Sequence, residues 1–210
     1  MSMILPTESD IQRTLPQLQS ITPLDRGGFK AVYRVTIAGK TEALKLIQIP
    51  PSDGSADAEA FKREMVGRVR REVEALGRCT GPEIVKLGTL ALTPLTIANV
   101  DYVAYTEEFL EGSDLWTLLT ANPPKPSEPE LRLLFATLLK AIREVWAMGY
   151  VHRDIKPKNV MKLNDPARQF VLLDFGIAYS VEETGLTANA TGRMPLATYR
   201  YLAPEMMNPA

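Results

Sequence analysis

The sequence predicts an α+β fold of two lobes, a β-rich N-terminal lobe followed by a mainly helical lobe. Strand-like runs surround a single helical segment up to residue 109, and a long amphipathic helix follows residue 126. The first 22 residues are polar and aperiodic, which is typical of a flexible lead-in. We therefore expect a lead-in over 1–22, an N-terminal lobe over 23–107, a hinge over 108–114 and a helical lobe over 115–210.

The N-terminal lobe is predicted to hold a five-stranded, mainly antiparallel sheet and one helix, with order beginning near Leu24. Two β-rich runs, 31–37 and 42–47, are joined by a short Gly-containing segment that indicates a hairpin. Two further strand-like runs, 84–90 and 102–109, extend the sheet.

Two segments have the apolar spacing of helices. Over 59–76, one face of the predicted helix collects the residues Phe61, Met65, Val69, Val73 and Leu76. The second helix starts at Ser127, which forms a capping box with Glu130, and its apolar stripe ends before Gly149. Beyond it, 160–163 and 170–173 are predicted as short strands around a turn.

Composition excludes several classes of protein. The 210 residues carry 24 basic and 25 acidic side chains and are 45% hydrophobic, which favours a globular chain with no overall attraction for nucleic acid or an anionic membrane. The single cysteine, Cys79, excludes an intramolecular disulfide. Because no apolar run approaches the ~20 residues that span a bilayer, we expect no membrane segment and a cytoplasmic location.

Three polar residues on predicted loops suit a hard metal ion. Asp154 and Asn159 lie five residues apart, and Asp174 follows an apolar strand. Carboxylate and amide oxygens at strand ends are the ligands that Mg²⁺ prefers when it also bridges to substrate phosphates.

A second pair of residues combines opposite charges in apolar surroundings. Lys45 lies in the middle of an apolar strand, and Glu72 falls within the apolar stripe of the helix over 59–76. Since a buried ammonium needs a partner, we expect the two side chains to neutralise each other, although a merely structural ion pair would leave the same pattern.

Together these motifs resemble those of the eukaryotic-like (Hanks-type) serine/threonine protein kinases. The chain is similar to that family at 43–45 (Ala-Leu-Lys), at Glu72, at 152–159 (His-Arg-Asp to Asn), at 174–176 (Asp-Phe-Gly) and at 203–205 (Ala-Pro-Glu). The resemblance implies a protein kinase-like bilobal fold, and it implies ATP and Mg²⁺ as cofactors and Ser/Thr hydroxyls of proteins as acceptors.

The resemblance also implies roles for the catalytic residues. Asp154 would orient the attacking hydroxyl, and Lys156 would neutralise the transferring phosphoryl group. Asn159 and Asp174 would hold Mg²⁺. The only histidine, His152, is interpreted as a packed residue bonded to the backbone rather than as a general base.

The nucleotide site is likewise carried over from the resemblance. Lys45, fixed by Glu72, would bind the α and β phosphates, and Asp114 would lie near the ribose. The remaining expected contacts are the glycine-rich turn, the residues above and below the adenine, and the hinge: Gly27, Gly28, Val32, Ala43, Met161, Glu108 and Leu110.

Two positions depart from the family pattern. In the glycine-rich loop, Asp25 and Lys30 stand where the first and last glycines are usual, and a carboxylate near triphosphate is unfavourable. Glu107 falls at the position before the hinge that usually carries an uncharged residue.

The C-terminal part of the sequence gives further expectations. Segment 177–202 resembles an activation segment, and Thr191 is its expected phosphorylation site. The resemblance implies that Arg153 would pair with the phosphate in this segment. The family's helical lobe continues beyond the Ala-Pro-Glu motif, so we expect an incomplete lobe, from a fragment, a truncated frame or a degenerate chain.

Two other functions stay open on the sequence alone. The altered glycine-rich loop and the missing helices also fit an inactive nucleotide-binding or scaffold module, a pseudokinase fragment. A small-molecule phosphotransferase of the aminoglycoside type is less favoured, because 177–202 and 203–205 are typical of kinases that act on proteins.

Overall fold

The computed structural model describes residues 5–27, 29–51, 54–121, 125–152, 154–174, 179–180 and 201. These residues form two compact units. The first comprises the described residues up to Val73 together with Lys86–Phe109, and the second comprises Glu74–Val85 and the described residues from Leu110 onward. The chain therefore changes unit within the predicted hinge, but segment 74–85 belongs to the second unit, so the N-terminal lobe is not the continuous segment 23–107 that we predicted.

The first unit is built on the predicted sheet of five antiparallel strands. Its strands are β1 (Leu18–Arg26), β2 (Lys30–Ile37), β3 (Lys40–Gln48), β4 (Thr93–Ile97) and β5 (Val100–Glu108), in the spatial order β1-β2-β3-β5-β4. The predicted hairpin joins β2 and β3. Its two turn residues, Ala38 and Gly39, have φ angles of 48° and 77°, which a tight turn matching the strand twist requires.

The prediction of a strand over 84–90 was wrong. That segment makes only two isolated bridges, Ile84 with Leu172 in the second unit and Leu87 with Glu107 in the first. The strand that we did not predict is β4. It contains Pro94, which argues against a strand in the sequence but is tolerated here because β4 lies at the edge of the sheet, where a residue without an N–H is acceptable.

The prediction of a flexible lead-in over 1–22 was also wrong for the described residues. Helix α1 (Glu8–Thr14) begins at Thr7, whose side chain accepts a hydrogen bond from the Asp10 backbone N–H. Ile11 is fully buried, and Leu15 and Leu18 are nearly so. These apolar residues were too few to produce a periodic signal, yet Ile11 and Leu15 lie four residues apart and join Leu18 of β1 in one core cluster with the sheet.

The sheet buries two different faces. One face packs on α1 through a cluster that includes Leu44, Leu46 and Tyr102. The opposite face carries Ile47, Val103 and Tyr105, and it packs on the part of helix α2 (Ala56–Arg78) that belongs to the first unit. The predicted helix over 59–76 is thereby confirmed with slightly wider bounds.

A buried carboxylate ties the 88–90 segment to the sheet. Both Oε atoms of Glu42 accept hydrogen bonds from the Thr89 backbone N–H, at 3.0 and 2.8 Å, and the Thr89 hydroxyl donates to the same carboxylate at 2.5 Å. Burial alone would raise the pKa of Glu42, but hydrogen bonds from Thr106 and Thr89 outweigh it and hold this pKa below its usual value. Gly88 lies so close to the carboxylate that a Cβ there would collide with it.

The second unit contains helices α3 (Leu115–Thr120) and α4 (Glu128–Ala147). Its short strands are β6 (Gly112–Asp114), β7 (Tyr150–Val151), β8 (Val160–Leu163), β9 (Phe170–Leu172) and β10 (Tyr179–Ser180), and a 3-10 turn covers Pro157–Asn159. Ser127 caps α4 as predicted, whereas the Glu130 side chain pairs with Lys162, which lowers the pKa of Glu130. In the described ranges no helix is long and apolar enough to cross a bilayer.

Replacing the apolar anchor of α1 should destabilise the first unit. We expect Ile11→Ala to lower the free energy of unfolding by about 2–4 kcal/mol, because it removes a fully buried side chain and leaves a cavity. The control Leu5→Ala removes a residue that is 42% exposed and should cost less than about 0.5 kcal/mol. Equal urea midpoints for the two variants would contradict an ordered α1.

Removing the Glu42 charge should give a pH-dependent loss of stability. At neutral pH we expect Glu42→Gln to lower the free energy of unfolding by about 1–3 kcal/mol, since a buried hydrogen-bonded carboxylate is lost. Because the pKa is lower in the folded state, the wild-type advantage is fully present above the unfolded-state value and is lost as pH falls through the folded-state value. Urea unfolding across the acid range measures this, with the exposed Glu74→Gln as control; a gap that grows on acidification would contradict it.

Candidate functional site

The candidate site residues fall into two groups, one in each unit. In the first unit, Lys45 lies on β3 opposite Val32 of β2 and Tyr105 of β5. Its Nζ atom lies 3.1 Å from Oε1 of Glu72, and both side chains are almost completely buried, at 6% and 5% exposed. The predicted pairing of a strand lysine with a helix glutamate is therefore present.

Lys45 has a second acidic neighbour in the same unit. The Nζ atom lies 2.6 Å from Oε1 of Glu107, whose side chain is only 5% exposed, and 5.4 Å from the centre of the Tyr105 ring. The sequence analysis noticed Glu107 as an unusual charge but did not connect it with Lys45. No sequence signal connects the two residues, because the antiparallel register that sets Glu107 opposite Ala43, two residues from Lys45, exists only in the folded sheet.

The second group surrounds Asp154. Its Oδ2 atom lies 2.7 Å from Nζ of Lys156 and accepts a 2.8 Å hydrogen bond from Nδ2 of Asn159. The same Nδ2 donates to the Asp154 carbonyl at 2.8 Å, so the amide holds both the side chain and the backbone of Asp154. The 3-10 turn over Pro157–Asn159 makes this possible because it brings residue 159 back toward residue 154.

One atom of this group has an unmet capacity for hydrogen bonding. The Oδ1 atom of Asp154 is buried and accepts no hydrogen bond within the described part of the chain. A buried lone pair that makes no bond is costly, and such positions occur where a ligand supplies the partner. Asp154 is thus oriented through one oxygen and open to a donor through the other.

His152 links this loop to the segment before Asp174. The Asp154 backbone N–H donates to Nδ1 of His152 at 3.2 Å, and Nε2 lies 3.0 Å from the Leu173 carbonyl. Since Nδ1 accepts, Nε2 is the atom that carries the proton, and the ring is neutral. His152 is 4% exposed, which agrees with the interpretation of a packed, backbone-bonded histidine.

Asp174 has an unusual backbone conformation. Its φ angle is 59°, in the left-handed region that residues other than glycine seldom adopt. The preceding Leu173 N–H donates to the Asn159 carbonyl at 2.8 Å, which fixes the approach of the chain to Asp174. Strain of this kind is kept where the surroundings impose it, most often at functional sites.

The donor set in the second unit fits Mg²⁺. The amide nitrogen of Asn159 is committed to Asp154, which leaves the carbonyl Oδ1 as the atom that can ligate a cation, and Asp174 offers a carboxylate. No group of three or more His, Cys, Asp and Glu side chains suited to a metal occurs among the residues that the structure describes. A site with one or two protein ligands is what Mg²⁺ uses when phosphates and waters complete its shell.

The structure describes the residues that we expect at the hinge and near the ribose. Asp114 caps α3, with its Oδ1 accepting the Thr117 N–H at 2.9 Å, and it stands opposite Met161 in the β6–β8 register. Glu108 ends β5, and its side chain accepts the Lys86 N–H at 2.9 Å. Leu110 follows at the start of the second unit. The contacts of these residues with a nucleotide stay predictions.

Some predicted residues lie outside the described part of the chain. These are Gly28, Arg153, 175–176, Thr191 and 203–205. Gly27 is described, and its N–H donates to the Lys30 carbonyl at 2.6 Å in the turn between β1 and β2.

Comparison with known proteins identifies the family. The profile described as "Protein kinase domain" matches residues 18–210. The chain is 28% identical over 204 residues, 96% of its length, to CBL-interacting protein kinase 30 of Oryza sativa subsp. japonica. It is 32% identical over 190 residues, 88% of its length, to serine/threonine-protein kinase pkn2 of Myxococcus xanthus. It is 31% identical over 196 residues, 89% of its length, to serine/threonine-protein kinase PknD of Mycobacterium tuberculosis.

The chain therefore belongs to the protein kinase family, as the motifs predicted, and two of these relatives, pkn2 and PknD, are named serine/threonine-protein kinases. It spans 39%, 21% and 26% of the lengths of these three relatives. The family match also confirms the predicted α+β kinase-like fold.

The strained backbone of Asp174 gives a stability prediction. We expect Asp174→Gly to be more stable than Asp174→Ala by about 1 kcal/mol, because both lose the carboxylate but only alanine meets the steric cost of positive φ. At Lys162 in β8 the order should reverse, since glycine weakens an ordinary strand. Thermal unfolding of the four variants measures both differences; the same order at both positions would contradict the left-handed conformation of Asp174.

Proposed function

We propose that this chain carries an ATP-dependent protein kinase activity that transfers the γ-phosphate to Ser and Thr hydroxyls of protein substrates. The observation that carries the proposal is the state of Asp154, which is held through Oδ2 by Lys156 and Asn159 while its buried Oδ1 lacks a hydrogen-bond donor among the described residues. Membership of the protein kinase family supports the same activity.

Asp154 is proposed to orient the acceptor hydroxyl. An alcohol O–H that donates to Oδ1 would satisfy the open lone pair and point its oxygen lone pair at the phosphorus atom. The bonds from Lys156 and Asn159 limit rotation of the carboxylate, so that Oδ1 is already in place before the substrate arrives.

Lys156 has an additional proposed role in catalysis. Lys156 keeps its ammonium 2.7 Å from Asp154, and from there it would neutralise charge on the transferring phosphoryl oxygens. Lys156 also supports the proposed Ser/Thr class, because a lysine two residues after the proposed catalytic aspartate resembles the serine/threonine subclass. Two of the relatives above, pkn2 and PknD, carry that class in their names.

Asn159 and Asp174 are the residues proposed to hold Mg²⁺. The ion supplies charge neutralisation for the triphosphate. The chain would contribute Oδ1 of Asn159, whose amide is oriented by its two bonds to Asp154, and the carboxylate of Asp174, which follows the residue whose backbone N–H donates to the Asn159 carbonyl.

In the first unit, Lys45 is proposed to bind the nucleotide phosphates while Glu72 fixes its ammonium at 3.1 Å. Val32 and Ala43 lie on the same sheet face as Lys45 and are half-buried, which suits contact with an adenine ring. Gly27 lies in the turn that would cover the phosphates, beside the unusual Asp25 and Lys30.

Phosphate transfer from labelled ATP tests the proposal. With Mg²⁺ and a generic basic protein as acceptor, we expect Asp154→Asn to lower kcat by about 10²–10⁴-fold, because the amide cannot accept the hydroxyl proton. KM for ATP should change little. Peptides with Ser or Thr as the only hydroxyl should be labelled, and the matching Tyr peptide should not.

The matched control is Asp165→Asn, which makes the same change at an exposed turn where Oδ1 accepts only the Ala167 N–H among the described contacts. Its kcat should stay within about twofold of wild type. Equal transfer by wild type and Asp154→Asn would refute the assigned role of Asp154. Nucleotide binding without any transfer by wild type would instead favour a non-catalytic nucleotide-binding module.

A further inference from the structure

The ion pair between Lys45 and Glu107 is not part of the site that the motifs define. We propose that Glu107 is a positioning residue: it holds the Lys45 ammonium when no nucleotide is bound, and it competes with the nucleotide phosphates for that ammonium. The competition rests on the proposed function, since it requires that Lys45 binds phosphate.

The strand register explains why Glu107 can reach Lys45. On paired antiparallel strands, alternate residues share a face, so Ala43 and Lys45 of β3 lie on the same face as Tyr105 and Glu107 of β5. Glu107 stands directly opposite Ala43 and diagonally opposite Lys45, and long side chains bridge such diagonal positions. Glu107 therefore lies on the face where the nucleotide is proposed to bind.

Lys45 donates a hydrogen bond to Glu72 and forms a close ion pair with Glu107. Oε1 of Glu107 lies 2.6 Å from Nζ, whereas Oε1 of Glu72 lies 3.1 Å away, and the two carboxylates are equally buried at 5% exposure. Lys45 thus contacts one carboxylate from the helix and another from the sheet, so that losing one of them does not remove every acidic partner.

The neighbouring Glu108 shows that the role of Glu107 is specific to its side of the strand. Glu108 points to the opposite face of the strand. Its carboxylate accepts the Lys86 backbone N–H at 2.9 Å, which is a contact with the main chain. Glu107 instead contacts the ammonium that the proposed function needs.

The negative charges next to Lys45 predict whether Glu107 strengthens or weakens phosphate binding. Anionic phosphates approaching Lys45 meet an ammonium that already donates a hydrogen bond to Glu72 and forms a close ion pair with Glu107. Each carboxylate also lowers the positive potential at this buried point, where interactions between charges are poorly screened. Glu72 and Glu107 therefore hold Lys45 in place, and the carboxylate on the nucleotide face weakens phosphate binding.

The contact itself is tested without nucleotide, by a double-mutant cycle in the full chain. We expect Glu72→Gln and Glu107→Gln each to lower Tm by less than about 2 °C, because one carboxylate remains for Lys45. The double variant should lose about 8 °C, since a buried ammonium then lacks both carboxylates. A double variant that loses only the total of the two single shifts would overturn the shared role of Glu107.

The competition is tested by titrating the same proteins with a fluorescent ADP analogue. We expect Glu107→Gln to bind about tenfold more tightly than wild type, because it removes a negative charge beside the Lys45 ammonium on the nucleotide face. The matched control is Glu42→Gln, which removes an equally buried carboxylate from the opposite face of the sheet and should leave affinity within about twofold. A Glu107→Gln affinity equal to or weaker than that of wild type would overturn the competition.

The two experiments separate the inference from the proposed function. If wild type binds the analogue and Glu107→Gln binds it no better, the nucleotide site stands and the competition is overturned. If wild type binds no analogue, the proposed function fails and the competition fails with it, even where the cycle confirms the shared contact.

Discussion

The burial of one ammonium group constrains the chemistry of the first unit. Lys45 is placed in the sheet interior by the β3 register, and a charge in that position is tolerated only with acidic partners close by. Glu72 on α2 and Glu107 on β5 meet this requirement from different elements. The helix and the sheet are thus connected by a charge contact as well as by the apolar packing of Ile47, Val103 and Val69.

In the second unit, one residue organises the loop around Asp154. One amide, that of Asn159, fixes Asp154, and the carbonyl of the same residue receives the Leu173 N–H ahead of Asp174. His152 joins the same two segments from the other side. The Asp154 carboxylate and the backbone ahead of Asp174 are therefore connected through Asn159 and His152, so that a disturbance at either segment reaches the other.

Sequence reasoning succeeded where the signal is local. The β2–β3 hairpin and the α4 cap follow from residues within four positions of one another, and the catalytic motif places Asp154 and Asn159 five residues apart. It failed where few residues carry the signal. Helix α1 is anchored by Ile11 and Leu15, which pack beside Leu18 of β1, and β4 contains a proline that is acceptable because the strand lies at an edge.

The sequence by itself determined the family, the two groups of candidate residues and the pairing of Lys45 with Glu72, because each depends on residue types in a fixed order or on the need of a buried charge for a counter-charge. Only the tertiary structure decided that Glu107 shares Lys45, that Glu42 anchors Thr89 and that Asp174 takes a left-handed backbone. These features depend on strand register and on contacts between residues far apart in the chain, for which composition and periodicity hold no information.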